Sequence, residues 1–415
     1  MRLDLTAIKL TMMVECGESG FDSSSQSVGY SVGMRNRRLC FGLAVVLAAL
    51  VAGAQSSSPE DALALERDGK LPEAAQVWHS FIRQHPNDAR AKASLGAVLS
   101  KQQKYQEAAS AYRAAIKINP KLPGVQLNLG LAEFKQGKFR VAIVPFRASL
   151  AADPQSAQAL TLLGLSYYGD KQFVEASKYL KRAAASDAAN AELRRVLAQS
   201  CLWAKDYDCA SEEFRQILET DPNSASAHVL SGEALDGLGR TPEAIKEFQT
   251  AAQISPHEPN LHFGIGFLYW KLHDYDGARK EFEAEVAADP DHWQALAYLG
   301  DIAWKTDHAD AALSFLYWAV HEKKDPRIAY VDLGAIYTQR KQYKQAKTTL
   351  LHAVDLDPTQ PDAHYRLGRL YQTLGNLAAA KKELDRVRDL NGRNDEGLVE
   401  KMATAPPALN QSSAR

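Results

Sequence analysis

A chain of 415 residues is long enough for two or three globular domains, and its 49 Lys and Arg stand against 50 Asp and Glu. That balance argues against a general nucleic-acid binder, whose affinity comes mainly from clustered positive charge on phosphate. An internal period of 34 residues overrides the multi-domain expectation, because repeat arrays grow in one direction without a single core.

Residues 1–33 are polar, Ser-rich and aperiodic, and read as a leader upstream of the true start, with translation beginning at Met34. From Met34 the pattern is that of a secretory signal: Arg35, Arg37 and Arg38, the apolar run Leu39 to Gly53, and small residues Ala52-Gly53-Ala54 at the cleavage site. The run holds 15 residues, fewer than the roughly 20 that span a bilayer comfortably. Residues 34–54 are therefore expected to be a cleaved signal peptide. The mature chain then begins at Gln55, in the periplasm or outside the cell, with membrane attachment only through an uncleaved signal segment.

From Gln55 to Asn394, ten units of 34 residues keep phase without insertion or deletion. The second, Ala89 to Leu122, shows the pattern most plainly, with Leu95-Gly96, Leu99, Tyr105, Ala108, Tyr112, Ala115 and Pro120. Positions 4, 7, 8 and 11 of each unit fall on one side of a helix at about 100° per residue, and positions 17, 20, 24 and 27 on one side of a second. Position 20 is Ala in every unit, from Ala74 to Ala380, and position 8 is Gly in all but two. Glycine inside a helix costs about 0.5–1 kcal/mol relative to Ala, so its recurrence calls for close helix–helix approach. Small residues at 8 and 20 are expected to supply it together.

Proline at position 32, as in Pro86, Pro120 and Pro154, stops one helix before the next begins. In the eighth unit it has moved to Pro326, which predicts a local irregularity. Ser58 is expected to cap the first helix, with Pro59 in its first turn. His228, His262 and His364 stand at position 4, where a large apolar residue is usual, and are expected to be packing residues that loosen individual contacts. After Arg393, Leu398, Val399 and Met402 are expected to cap the open end, followed by a disordered tail to Arg415.

These residues resemble the tetratricopeptide repeat family, whose pattern is a large residue at 4, Leu-Gly at 7 and 8, Tyr at 11, Ala at 20, an aromatic at 24 and Pro at 32. The resemblance implies an all-α, right-handed α-solenoid of ten helix-turn-helix repeats whose first helices line a concave groove. It also implies a non-catalytic scaffold that binds a protein or peptide. Family members that grip the terminal carboxylate of chaperones use basic residues there. Position 5 of this chain, with Ala93, Leu127, Thr161, Arg195, Val229 and Phe263, carries no basic pair in adjacent units.

No chemistry-bearing motif competes with that reading. His257 and His262 are five apart with Pro259 between, the wrong spacing for two zinc ligands on one helical turn. Gly164-Leu165-Ser166-Tyr167-Tyr168-Gly169 lacks the spacing and the strand of a nucleophile elbow. No catalytic residues, metal site or cofactor are expected, and no stretch outside the array is long enough for a catalytic domain.

Positions 2, 5, 9 and 12 lie on the side of the first helix rotated roughly 130° from the packed side. Two apolar clusters appear there. Leu127, Leu131, Phe134, Leu165, Tyr168 and Leu202, with Trp203 one residue on, form the first; Phe263, Phe267, Trp270 and Trp304 form the second. Arg195, Glu233 and Asp236 lie between, so the middle is polar. Aromatics give large contact area at low entropy cost, so these clusters are expected to take apolar side chains of a partner segment. A purely structural role, covering neighbouring side chains, is the alternative.

Cys201 and Cys209 remain after cleavage, late in one predicted helix and early in the next. In an oxidising compartment a disulfide would staple that hairpin; otherwise one thiol is buried and one exposed. The leading expectation is a scaffold for cell-envelope assembly. The rivals are an accessory subunit of an envelope enzyme, a self-associating assembly protein, and a glycan binder that stacks sugars on the concave aromatics.

Overall fold

The computed structural model describes residues 58–390 apart from 188, 257 and 322–324. The leader, the signal segment, the apolar cap at Leu398, Val399 and Met402, and the tail lie outside the described residues. Among those described, twenty α-helices run from Pro59–Arg67 to Leu377–Leu390 with no strand, and none is long and apolar enough to cross a membrane. They pair into ten helix-turn-helix units that stack as a solenoid, the two helices of each unit packing on one another and on the next unit.

The packing inside a unit refines the small-residue expectation. Every position-20 alanine is buried. The glycine at position 8, however, is required by the large side chain at position 24. A Cβ on Gly96 would lie 2.7 Å from the Tyr112 ring, on Gly130 2.5 Å from the Phe146 ring, and on Gly300 2.5 Å from Leu316. The groove between the helices is thus filled by the second helix's ring or Leu pressed against bare backbone.

The turn inside every unit has one conformation. Position 15 has positive φ in all ten, at Gly69, Gly137, Gly239 and Gly375 but also at Gln103, Lys171, Lys205, His273, Asp307 and Lys341. The left-handed residue lets the chain reverse while its N–H and its neighbour's satisfy the last carbonyls of the first helix, as in Lys171 N–H to Tyr168 O and Gln172 N–H to Tyr167 O. Tertiary packing holds six side-chain-bearing residues there at a cost that glycine avoids.

Departures from the period have local causes. Pro123-Gly124 and Pro259-Asn260 put a second left-handed residue at position 2 of units three and seven, so those first helices start late, at Val125 and Leu261. In unit eight the second helix ends at Ala319, short of its counterparts, and Pro326 precedes the next helix, the irregularity its displaced proline predicts. Ser58 caps the first helix in a reciprocal capping box with Asp61.

The position-4 histidines do more than the sequence reading allowed. His228, His262 and His364 each bring Nδ1 to 2.6–2.7 Å from Glu247, Glu281 and Glu383 of the same unit's second helix, and Arg194 meets Glu213 in the same way at 2.7 Å. They are specific cross-helix ties. The only units with His or Arg at position 4 are those with Glu at position 23.

Cys201 and Cys209 are joined, with Cα atoms 5.8 Å apart. The bond ties Ala191–Trp203 to Tyr207–Thr220 across the turn. Closing so short a loop restricts the unfolded chain by an amount equivalent to about 2–3 kcal/mol.

Candidate binding groove

The first helices of units six to ten, Ala225–Gly237, Leu261–Lys271, Trp293–Lys305, Arg327–Gln339 and Pro361–Thr373, carry the second aromatic cluster and its surroundings. Within it the structure corrects the expectation at two positions. Phe263 is fully buried, stacked on His292 at 5.1 Å and tilted against Phe282 at 5.8 Å. Phe267 is 3% exposed and stands edge-on to Tyr298 at 5.7 Å. Both rings therefore belong to the packing between units seven and eight and offer no open face to a ligand. Tyr298, which the period assigned to no groove position, is the large side chain of the following unit that covers them.

Trp270 and Trp304 remain half-buried. Trp270 is oriented on both sides. Its ring lies 5.9 Å from Phe267 and 5.0 Å from Tyr298, and its indole N–H is donated to Asp301 of the next unit. Lys305 donates to the same Asp301 oxygen at 2.8 Å while its ammonium sits 4.6 Å from the Trp270 ring centre, within cation–π range.

In the first cluster Leu127, Leu131, Leu165, Tyr168 and Trp203 are half-buried and pack on a common core, Phe134 is nearly covered, and Leu202 is wholly buried. Tyr168, Phe173 and Trp203 form a chain of rings at 5.7 and 6.2 Å, and the Tyr168 hydroxyl donates to Gln199 at 2.9 Å. Burial raises the Tyr168 phenol. Phe173 sits outside the groove periodicity, on the second helix, and was missed for that reason.

The polar middle extends further than the sequence showed. Asp236 accepts from Lys271 of the next unit at 2.8 Å and from Thr241 at 3.1 Å. Asp301 and Asp332 are both 2% exposed. Burial first, then the charge of Asp301, raises the Asp332 carboxyl well above its ordinary range, offset in part by Arg366 and Lys305. Arg366 lies 3.9 Å from Asp332. Glu233 is buried with no counter-charge, and desolvation pushes it up to about 8.

A second buried network fixes the start of the unit-seven helix. Glu285 accepts from the backbone N–H of Asn260 and Phe263, at 3.1 and 2.9 Å. His292 Nδ1 accepts from Ala295 N–H at 3.1 Å, which leaves Nε2 to donate to Asn260 Oδ1 at 2.9 Å. Desolvation lowers the His292 imidazole, with Glu285 and Asp289 opposing. The neutral ring is the one this geometry requires.

The arrangement offers half-open indoles, fixed carboxylates and paired bases along one face. Such a surface can hold an extended segment by aromatic contact and charged hydrogen bonds. Sequence models described as tetratricopeptide or TPR repeat match residues 96–137, 127–191, 167–233, 237–299, 334–375 and 361–393. A stretch of 72 residues, 17% of the chain, is 35% identical to the type IV pilus assembly protein PilF of Pseudomonas aeruginosa, and spans 29% of that protein. The solved structure of YrrB, described as a TPR protein with an unusual peptide-binding site, is similar at 21% identity, covering 47% of this chain and 98% of its own, with TM-score 0.34. Yeast Tom70 is similar at 14% identity over 83% of this chain and 93% of its own, with TM-score 0.40. The Cut9–Hcn1 complex gives 15% over 83% and 74%, with TM-score 0.47.

Proposed function

This chain belongs to the tetratricopeptide repeat family, and from that premise we propose that its concave face holds a segment of a protein partner engaged in cell-envelope assembly. As a member it is a non-catalytic protein-interaction scaffold. The observation that carries the groove reading is the half-open pair Trp270 and Trp304 beside the Asp301–Lys305 pair: two large aromatics kept partly in solvent on the face that the repeats leave uncovered. The envelope part is supported by the signal pattern from Met34 to Ala54 and by the similarity to a pilus assembly protein over 72 residues.

The test is site-specific photo-cross-linking in cells that express the chain. A cross-linker at Trp304 should capture a defined envelope protein that one at Val144, 71% exposed on a second helix, does not capture. Capture of the same proteins from both positions, or of cytosolic proteins alone at Trp304, would refute the proposal.

A further inference from the structure

On the first-helix face of units six to nine four acids are buried: Glu233, Asp236, Asp301 and Asp332. Three are met by a base of the array. Lys271 reaches Asp236 at 2.8 Å from the next unit, Lys305 reaches Asp301 at 2.8 Å from one helical turn on, and Arg366 approaches Asp332 at 3.9 Å from the next unit. A carboxylate withdrawn from water is strongly disfavoured unless a cation or donors replace the solvent. The array brings a cation to every acid it buries on this face except Glu233, although one oxygen of Asp332 is left without a hydrogen-bond partner.

Glu233 is 7% exposed and has no hydrogen-bond or ion-pair partner among the described residues. It stands one helical turn before Asp236 on the same face. The bases of the adjoining first helices are already engaged: Lys271 with Asp236, Arg194 with Glu213, and Arg195 with Glu192. The position equivalent to Glu233 in the next unit is Phe267, which brings a ring and no charge. Trp270, one residue before the Lys271 that reaches Asp236, already carries one lysine ammonium against its ring, so an indole on this face tolerates a cation beside it.

We propose that Glu233 is the recognition point for a basic side chain, Lys or Arg, of the protein segment that occupies the groove. The inference rests on the groove reading above. The partner's charged end takes the place that Lys271, Lys305 and Arg366 take at the other three acids. Burial without a counter-charge holds the Glu233 proton on; an entering cation reverses that balance and the proton leaves to solvent.

The test titrates the full chain with labelled dodecapeptides identical except at two central positions, which hold Lys, Arg, Gln or Glu. The Lys and Arg peptides should bind about tenfold tighter than the Gln peptide. The Glu peptide should bind weakest. Glu233→Gln, which keeps the shape, should abolish the preference for base while leaving the helical circular dichroism unchanged. Equal binding of Lys, Arg and Gln peptides to the wild-type chain overturns the inference and leaves the groove reading standing, as does a preference that survives in E233Q. Failure of all four peptides to bind overturns both.

Discussion

The indole N–H of Trp270 is donated to Asp301, one unit along, and the Lys305 ammonium holds the same carboxylate at 2.8 Å while lying 4.6 Å from the indole ring. One aromatic of the proposed contact surface is thereby locked in place by its neighbour, whereas Trp304 has no such tie among the described residues. Phe267 beneath them is core. Three substitutions separate these roles. Phe267→Ala should destabilise the chain by about 3–5 kcal/mol. Trp270→Phe keeps the ring but leaves Asp301 one donor short, for a loss of about 1–2 kcal/mol. Trp304→Ala should weaken binding of the Lys dodecapeptide severalfold with little change in melting temperature. Fluorescence titration and thermal melts check all three, and a Trp304→Ala chain that binds normally would place the contact elsewhere.

The glycine at position 8 faces the large side chain at position 24, which in unit three is the fully enclosed ring of Phe146, so adding a methyl group to Gly130 means displacing that ring. Gly130→Ala puts a Cβ 2.5 Å from the Phe146 ring. Overpacking of this kind costs about 1–3 kcal/mol. The helix-propensity gain of Ala over Gly, about 1 kcal/mol, opposes it. Urea denaturation should therefore show a net loss. Gly130→Ala combined with Phe146→Leu should recover part of it, because the flexible Leu can yield where the ring cannot.

Lys171 occupies the left-handed turn position that Gly137 fills one unit earlier, with φ of 60°. A non-glycine residue pays about 1–2 kcal/mol for that conformation, and glycine gives part of the relief back in unfolded-chain entropy. Lys171→Gly is expected to stabilise the chain by about 0.5 kcal/mol. Gly137→Lys is expected to do the reverse. Paired denaturation midpoints read both, and shifts of the same sign would contradict the turn argument.

Two buried groups set opposite limits on the useful pH range. Glu233 is raised by desolvation to about 8, so the folded chain keeps a proton that the unfolded chain sheds above about 4.5. Its contribution is complete below the unfolded value and is lost as pH rises through about 8. His292 is lowered, mainly by desolvation. Its contribution is complete above the ordinary histidine value near 6.5 and is lost as pH falls. Between about 6.5 and 8 only the Glu233 slope remains of these two. Melting temperature should decline across that interval in the wild-type chain. In Glu233→Gln the decline there should be shallower, since the raised Asp332 carboxyl keeps a slope of the same sign, while the drop on the acid side stays. Parallel profiles for the two chains would remove Glu233 as the cause.

The period by itself determined a great deal. A 34-residue repeat with Ala at 20, Gly at 8 and Pro at 32 is enough to specify two helices per unit, because each position answers to a neighbour inside the same unit. The helical pairing, the displaced stop at Pro326, the Ser58 cap and the nearness of Cys201 to Cys209 all follow from such short-range relations. The pairing of His228, His262, His364 and Arg194 with Glu at position 23 is written in the same sequence, where the two positions change together, yet the pattern at position 4 alone points to packing residues.

Contacts between units were decided only by the tertiary structure. Whether a groove-side ring stays open depends on which side chain the next unit sets over it, and that depends on the rotation between units, which a constant period does not encode. Tyr298 closes over Phe267 but leaves Trp270 half in solvent. Lys271 reaches Asp236, while the residue facing Glu233's place in the series is Phe267. The same geometry brings Asp301 and Asp332, from different units and different repeat positions, close enough to share a field. Sequence fixes the helices and their register; the superhelical step between them selects which carboxyls and indoles are left for a partner.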